Sequence, residues 1–291
     1  MPEYLKGKTF LVTGATEGIG KAAARHFARR GADLTLVGRN AQKTEQLVAE
    51  LRRDTGNPEV HALVGDLSSQ AETRAVAAQF LARHQRLDVL VNNAGAVFQD
   101  RQVSADGLEK TFALNHLGYF LLTVQLLPLL QATPGARVVS TSSGANAIGK
   151  IDLATIATRE RGYTAFGAYS DSKLANILFT RELARRLQGS SATANCFHPG
   201  WVASGFGLNN QGLGSKLLSV VAPLLARSPE QGADSLVWLA TSPEAARFTG
   251  EYFSDRELTR TARRARDSRL GQELWALSER LCGLQARSSA A

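Results

Sequence analysis

Short apolar runs of strand-forming residues alternate, in the first third of the chain, with stretches whose apolar residues repeat at helical spacing. The apolar runs are residues 8–13, 33–37, 60–64 and 87–91. Helical stretches follow them, for example residues 41–54, with Leu47, Val48 and Leu51 on one side. Repeated strand–helix units of this kind predict a parallel, doubly wound sheet with helices on both faces.

The rest of the chain continues this pattern. A long helical region runs from Asp106 to Leu130, and another helix is predicted over residues 229–241. Further strands are predicted at residues 137–141, 192–197 and 250–253. No linker, repeat or low-complexity block interrupts the alternation, so we expect one α/β domain over residues 1–291, with a mostly parallel seven-stranded sheet.

Two segments depart from the alternation. Residues 205–228 mix glycines with large apolar residues. That composition fits a mobile lid over an apolar substrate, and it fits equally well a pair of surface helices packed on the sheet. Residues 255–291 are expected to form a C-terminal arm, in which the arginines between Arg260 and Arg269 lie on a solvated face.

Composition limits the classes of function. The 291 residues are 44% apolar and carry a formal net charge of +8. A basic balance suits nucleic acid, an anionic membrane or an acidic cofactor, but no nucleic-acid-binding motif accompanies it. No apolar run approaches about 18 residues and the N-terminus leaves no room for a signal peptide, so we expect no membrane anchor. Cys196 and Cys282 predict neither a disulfide framework nor a metal site, and a cytoplasmic location fits best.

A glycine-rich turn follows the first predicted strand and opens a helix. Glycine lets the backbone turn tightly and approach a phosphate closely, while the helix N-terminus offers unpaired N–H groups to the anion. A plain strand–helix turn is the simpler alternative, but the position directly between strand and helix favours a dinucleotide phosphate site. The residues expected to form it are Gly14, Thr16, Gly18, Ile19 and Gly20.

The end of the second predicted strand is where a dinucleotide-binding fold distinguishes NAD from NADP. An acidic residue there accepts the 2′-hydroxyl of NAD and repels a 2′-phosphate, whereas this chain has Gly38 and then Arg39. A guanidinium suits a phosphate, so we expect NADP(H), with NAD(H) as the alternative. Lys21 supports this choice, Glu17 opposes it, and a solvated turn is the simpler interpretation of Arg39.

Tyr169 and Lys173 are spaced as Tyr-x-x-x-Lys at the start of a helical pattern, so their side chains share one face. A free phenol has a pKa of ~10 and is a poor acid–base group at neutral pH. A nearby cation favours the phenolate and lowers that pKa, and such a tyrosine exchanges a proton with an alcohol or carbonyl oxygen. A packed tyrosine beside a solvated lysine is the simpler interpretation of the motif alone.

Other predicted strands also end in residues suited to ligands, at the sheet edge where such folds bind them. Asp66 also suits a helix cap, and Ser143 also suits a turn. Asn115, within an apolar helical stretch, needs hydrogen-bond partners, while the adjacent His116 is expected to be packed or at the surface. The strand-end residues are Asp66, Leu67, Asn92, Ala94, Gly95, Ser142, Ser143, Pro199, Gly200, Val202 and Ser204.

Together these motifs resemble the short-chain dehydrogenase/reductase family, over about Lys8 to Phe253. The segments Asn115-His116-Leu117-Gly118, His198-Pro199-Gly200 and 174–187 resemble its retinol dehydrogenase-like branch. The resemblance implies a Rossmann fold and an NADP-dependent oxidoreductase that interconverts an alcohol and a carbonyl.

The resemblance also implies individual roles. Tyr169 would be the acid–base catalyst, Lys173 would lower its pKa and hold the nicotinamide ribose, and Ser143 would orient the substrate oxygen. Asn115 would support a proton relay to Lys173. The remaining residues would contact the cofactor: Gly14, Gly18 and Gly20 at the pyrophosphate, Asp66 and Asn92 at the adenine side, and Val202 and Ser204 at the carboxamide.

The chain departs from the family pattern at two places. Ser143 and Tyr169 are 26 residues apart, more than in the basic pattern, so residues 144–168 are expected to form a substrate-side loop. Membrane-bound retinol dehydrogenases carry an apolar N-terminal anchor not seen here, so we expect a lipophilic or aromatic carbonyl compound rather than retinol. A homodimer or homotetramer is typical of the family. The competing hypothesis is a non-catalytic nucleotide-binding regulator on the same scaffold.

Overall fold

The computed structural model describes residues 4–202 and 227–284, in which eight strands form one sheet. The strands are β1 (Thr9–Thr13), β2 (Asp33–Gly38), β3 (Val60–Val64), β4 (Val89–Asn92), β5 (Arg137–Thr141), β6 (Thr193–His198), β7 (Tyr252–Ser254) and β8 (Glu257–Leu258). The α-helices are α1 (Gly18–Arg29), α2 (Ala41–Thr55), α3 (Gln70–Arg83), α4 (Lys110–Phe112), α5 (Gly118–Ala132), α6 (Ala165–Arg186), α7 (Pro229–Thr241) and α8 (Ser268–Leu281).

The strand order is β3-β2-β1-β4-β5-β6-β7-β8, and all neighbouring pairs are parallel except β7 with β8. The predicted doubly wound α/β fold is therefore confirmed. The predicted edge strand at 250–253 is β7, and the short β8 adds an antiparallel strand outside it, so the sheet has eight strands rather than seven. Strand β1 pairs with both β2 and β4, and a crevice forms beyond the carboxyl ends of strands at such a switch point.

The sheet separates two apolar cores. Successive side chains of a strand project to opposite faces. In β1, Phe10 and Val12 accordingly pack in one core with Phe27 of α1, while Leu11 packs in the other with Phe120 of α5. Both faces of the central strands are therefore buried, which explains why these strands read as continuous apolar runs.

One helical segment, Lys110–Ala132, is long and apolar enough to cross a membrane by length and composition. It comprises α4, a π-helical turn at Ala113–Leu117, and α5. Within the protein, 67% of its most apolar window is buried. Packing against the sheet and neighbouring helices therefore accounts for its composition.

The part of the predicted C-terminal arm that the structure describes packs on the rest of the molecule. Helix α8 contacts α6, and Trp275 lies in the core beside Phe179. Arg263 and Arg266 are exposed, as expected of a solvated face. The predicted lid at 205–228 lies almost entirely outside the described residues.

Candidate active site

A cleft of about 420 Å³ lies at the carboxyl ends of the strands, at the switch point of the sheet. Small-molecule sites commonly have this size and position. Of the predicted site residues, those that line the cleft are Gly14, Thr16, Gly18, Ile19, Arg39, Asp66, Leu67, Ala94, Gly95, Ser142, Ser143, Tyr169, Lys173, Pro199, Gly200 and Val202. Gly20, Asn92 and Asn115 are not among the lining residues, and Ser204 lies outside the described part of the chain.

The glycine turn is held too tightly for larger residues. Gly14 and Gly18 have φ angles of +63° and +55°, in the left-handed region that favours glycine. A Cβ atom on Gly14 would lie 2.7 Å from Ala94 Cα, and one on Gly20 would lie 2.2 Å from the Gly14 carbonyl oxygen. Gly20 therefore supports the turn from behind. The first residues of α1 line the cleft, which places unpaired backbone N–H groups beside it.

Two polar side chains tie this turn to β4. The Thr13 hydroxyl donates to the Val91 carbonyl and accepts from the N–H groups of Asn93 and Ala94. The Asn93 amide in turn donates to the carbonyl oxygens of Thr13 and Gly14, both at 3.1 Å. These bonds fix the two walls of the cleft relative to each other.

The structure assigns different places to the two adjacent asparagines after β4. Asn92 is buried, and its amide donates to the Thr123 hydroxyl of α5 at 3.0 Å. Asn93 lines the cleft and accepts a hydrogen bond from the Thr141 hydroxyl. Asn92 was the predicted cofactor residue, whereas of the two adjacent asparagines it is Asn93 that lines the cleft.

Tyr169 and Ser143 meet at the cleft. Tyr169 lies in the first turns of α6, and Ser143 follows β5 and caps a short 3₁₀-helix at Gly144–Ile148. Burial raises the pKa of Tyr169, and its side-chain hydrogen bond with Ser143 opposes that rise. The expectation that Lys173 lowers this pKa is therefore not met, because burial outweighs the other effects. The phenol is protonated at neutral pH.

Lys173 is 2% exposed, and its ammonium lies 5.5 Å from the centre of the Tyr169 ring. It donates to the Thr141 carbonyl at 3.1 Å. Burial lowers the pKa of Lys173 to about 7. The Ser142 hydroxyl donates to the Lys173 carbonyl at 2.8 Å and so attaches β5 to this turn of α6.

Asn115 lies in the π-helical turn, a rare feature that is frequent at functional sites. The side-chain oxygen of Asn115 accepts from the Ala96 N–H at 2.9 Å. Its side-chain NH₂ group donates to the Ala96 carbonyl and to the Ser172 hydroxyl. A Cβ atom on Gly95 would lie 3.2 Å from Asn115 Oδ1 and 3.6 Å from Lys173 Nζ. The predicted relay residues Asn115 and Lys173 thus both approach Gly95.

The opposite end of the cleft carries the basic residues. Arg39 is exposed, lines the cleft and forms no hydrogen bond or ion pair with residues 4–202 or 227–284. Lys43 also lines the cleft, which the sequence analysis missed, and pairs with Glu17 at 2.7 Å. Lys21 pairs with Glu50 instead of facing the cleft. The Asp66 carboxylate accepts from the Ser68 N–H and hydroxyl, which holds it at the rim.

The predicted substrate-side loop is anchored on α6. The Asp171 carboxylate accepts from the Lys150 N–H at 2.6 Å and pairs with the Arg159 guanidinium. The Tyr163 hydroxyl donates to the Phe98 carbonyl at 2.5 Å. Gly144, the first residue of this segment, donates its N–H to His198 Nδ1 at 3.1 Å. This contact between His198 and the turn after Ser143 was not predicted from the sequence.

Comparisons with known proteins agree with this geometry. The family profile described as short chain dehydrogenase matches residues 8–211. Human retinol dehydrogenase 13 is 40% identical over 98% of this chain and 87% of its own length, and mouse retinol dehydrogenase 12 is 42% identical over 97% and 88%. The NADP complex of Pseudomonas aeruginosa RhlG is 30% identical, with a TM-score of 0.68 over 86% of this chain and 95% of that one. The chain belongs to the short-chain dehydrogenase family, in its retinol dehydrogenase-like branch, and is an NAD(P)-dependent oxidoreductase acting on alcohol and carbonyl groups.

Proposed function

We propose that this enzyme uses NADP(H) to interconvert an alcohol and a carbonyl group on a lipophilic or aromatic small molecule, with Tyr169 as the acid–base group. The observation that carries the proposal is the hydrogen bond between Tyr169 and Ser143 at the cleft, beside the buried Lys173. Two hydroxyl groups in contact can together bind one substrate oxygen, and one of them can exchange a proton with it.

The cleft fits a dinucleotide phosphate. The glycine turn offers bare backbone where a Cβ atom would clash, and the start of α1 supplies N–H groups and a favourable dipole for an anion. Arg39 and Lys43 add positive charge beside β2. The preference for NADP(H) is also supported by RhlG, which was solved with NADP. When bound, the nicotinamide supplies or accepts the hydride.

Side chains of the protein donate and accept the proton of the reaction. The Tyr169 phenol is protonated at neutral pH, which is the state that gives a proton to a carbonyl oxygen during reduction. Alcohol oxidation requires the phenolate, and a charged Lys173 would favour it. Because the pKa of Lys173 is about 7, this lysine changes charge within the physiological range. We propose that Asn115 supports the relay that returns the proton to solvent.

The apolar part of the cleft supports a lipophilic substrate. Val97, Leu114 and Val202 line it alongside the polar groups. Apolar walls with few polar groups bind lipophilic molecules and orient them through a single oxygen. The curated relatives are named retinol dehydrogenases, which supports a lipophilic alcohol or its aldehyde as the substrate.

Replacing Tyr169 with phenylalanine tests the mechanism. We expect Tyr169→Phe to lower kcat/KM by about 10²- to 10⁴-fold, the usual contribution of general acid–base catalysis, while NADPH binding is retained. The measurement is NADPH oxidation with a panel of aromatic and lipophilic aldehydes and ketones, including retinal, with cofactor binding followed by fluorescence. Tyr4→Phe is the matched control, because that hydroxyl contacts His26 and Tyr4 does not line the cleft. Equal rates in wild type and Tyr169→Phe would sink the mechanism, and NADPH binding without turnover on the whole panel would favour the regulator.

Replacing Arg39 with aspartate tests the cofactor preference. A hydrogen bond to a charged group contributes about 1.5–3 kcal/mol, so we expect Arg39→Asp to shift the NADP/NAD ratio of kcat/KM by roughly 10- to 100-fold towards NAD. Arg53→Asp, at the far end of α2, is the control and should leave the ratio unchanged. An unaltered ratio in Arg39→Asp would show that this guanidinium does not bind the 2′-phosphate.

Further predictions join this proposal. The chain is proposed to act as one domain over residues 1–291, as a homodimer or homotetramer, and as a cytoplasmic protein without a nucleic-acid partner. The loop at 144–168 is proposed to lie on the substrate side. Light scattering of the purified protein tests the oligomeric state, and fractionation of cells that express it tests the location.

A further inference from the structure

Two carboxylates and an imidazole lie close together at the opposite edge of the sheet from the cleft. Asp33 is the first residue of β2, and Glu59 and His61 flank the first residue of β3. In the parallel pairing of these strands, Leu34 is opposite Val60 and Thr35 is opposite His61. Opposed residues share a face of the sheet, as do residues two apart in one strand. Asp33, Glu59 and His61 therefore project from the same face.

The distances within this group suit one small cation. His61 Nε2 lies 3.4 Å from Glu59 Oε2 and 3.8 Å from Asp33 Oδ1, and the three ligand atoms all lie within 4.8 Å of one another. Zinc–nitrogen and zinc–oxygen bonds of about 2.0–2.2 Å in a tetrahedron place the ligand atoms roughly 3.3–3.6 Å apart. Small side-chain rotations would bring all three into that geometry.

The two oxygens of the Asp33 carboxylate differ in their hydrogen bonds. His84, just after α3, places Nδ1 3.3 Å from Asp33 Oδ2 and Nε2 3.4 Å from the Thr35 hydroxyl. The His84 ring is stacked on Phe80, with 4.5 Å between the ring centres. Asp33 Oδ1, in contrast, is a buried atom without a hydrogen-bond partner among the described residues. Buried carboxylate oxygens normally have partners, and a bound cation would supply one.

We propose that Asp33, Glu59 and His61 bind a divalent transition-metal ion, for which Zn²⁺ is the best match, and that His84 holds Asp33 in place. Two carboxylate oxygens and an imidazole nitrogen are ordinary zinc ligands, and water would complete the tetrahedron. Ligating carboxylates are typically oriented by a second hydrogen-bonding group, as His84 orients Asp33. The ion would join β2 to β3 at the edge remote from the cleft and would stabilise the fold.

The sequence did not predict this group of side chains. The ligands are separated by up to 28 positions in the chain, and only the strand register brings them together. The alternative is a pair of histidines that simply form hydrogen bonds with carboxylates at a partly exposed sheet edge. That alternative requires no metal affinity beyond that of any protein surface.

Metal titration of tag-free, chelator-treated protein distinguishes the proposed metal site from simple hydrogen bonds between histidines and carboxylates. We expect one equivalent of Zn²⁺ by calorimetry, and one equivalent of Co²⁺ with the visible absorption of a tetrahedral site that Zn²⁺ abolishes. His61→Ala should lose this binding. His84→Ala should weaken it by about 10- to 100-fold, as is usual when a residue supporting a ligand is removed. His26→Ala removes a histidine that contacts Tyr4 and should leave binding unchanged.

Thermal unfolding gives an independent measurement. A ligand that binds only the folded state raises the unfolding midpoint with concentration. Zn²⁺ should raise the unfolding midpoint of wild type and of His26→Ala, but not that of His61→Ala or Glu59→Gln. The circular dichroism spectra of these last two variants should match the spectrum of wild type. Equal Zn²⁺ affinity in wild type and His61→Ala would overturn the proposal. Unchanged affinity in His84→Ala would overturn the positioning role of that residue.

Discussion

At the scale of the residue, the buried Lys173 of the candidate site lowers the stability of the fold. A lysine ammonium that is removed from water needs several hydrogen bonds, and this one donates to the Thr141 carbonyl alone among the described residues. Burial therefore lowers its pKa from the ordinary 10.5 to about 7. A buried residue of this kind lowers the free energy of unfolding. Its presence at the cleft therefore points to a functional role.

Lys173→Met is accordingly expected to stabilise the protein while abolishing turnover. Because the folded-state pKa lies below the unfolded-state value, the unfolded chain binds the extra proton between pH 7 and pH 10.5. The penalty is full below pH 7 and disappears above pH 10.5. At about 1.4 kcal/mol per pKa unit, we expect the variant to gain on the order of 4 kcal/mol in free energy of unfolding at pH 7, and less at pH 10. Urea denaturation at both pH values measures this, and a loss of stability at pH 7 would contradict the argument.

The sequence identified most of the residues that line the cleft, because they belong to motifs at strand ends. It could not separate Asn92 from Asn93, since adjacent residues at a strand end project in opposite directions and the phase depends on packing against α5. It predicted a lowered pKa for Tyr169, whereas burial raises this pKa. The spacing to Lys173 was visible, but burial is a property of the whole structure.

At the scale of the element, the aromatic ring of Trp275 packs α8 against the core. The Trp275 ring lies 4.9 Å from that of Phe120 and 5.8 Å from that of Phe179, and the Arg186 guanidinium lies 4.2 Å from its centre. Its indole N–H donates to Glu279. The end of the described chain is therefore packed against the helix that carries Tyr169.

Truncating this residue should loosen α8. We expect Trp275→Ala to lower the free energy of unfolding by about 3–5 kcal/mol, because a large aromatic side chain leaves a cavity that its neighbours cannot fill. Trp201→Ala is the matched control, since Trp201 is 66% exposed and its loss should change stability by no more than about 0.5 kcal/mol. Urea denaturation gives both values. Similar losses in the two variants would show that α8 contributes little.

Regular elements were predictable where their pattern is long. The parallel strands carry apolar runs and the helices carry apolar stripes, so their order was clear from the sequence. Strand β8 has two exposed residues, Glu257 and Leu258, and its existence depends on pairing with β7. The π-helical turn around Asn115 was likewise not anticipated, because one widened turn barely changes the apolar spacing.

At the scale of the whole molecule, His116 connects distant parts of the chain. Its ring is buried beside Phe112, and its Nε2 lies 2.9 Å from the Ser278 hydroxyl of α8. That hydroxyl donates to the Leu274 carbonyl, so His116 Nε2 is the donor in the contact. The expectation of a packed histidine agrees with this position. Burial lowers the pKa of His116 to about 3.

This histidine should make the fold sensitive to acid. The unfolded chain protonates it near pH 6.5, whereas the folded protein does so only near pH 3, so stability is lost as pH falls between these values. We expect a contribution of about 1.4 kcal/mol per pH unit in that window. His116→Gln should show a shallower decline in urea-denaturation free energy between pH 6.5 and pH 4.5. Parallel pH profiles for the two proteins would contradict the assignment.

The place of β1 in the middle of the sheet has a consequence for synthesis. The ribosome makes the glycine turn and Arg39 early, but the facing wall, with Thr141, Tyr169 and Pro199, comes much later. A nascent chain therefore holds half a nucleotide site until β6 has emerged and paired. A cofactor bound in the cleft would therefore stabilise the fold only after β6 has paired.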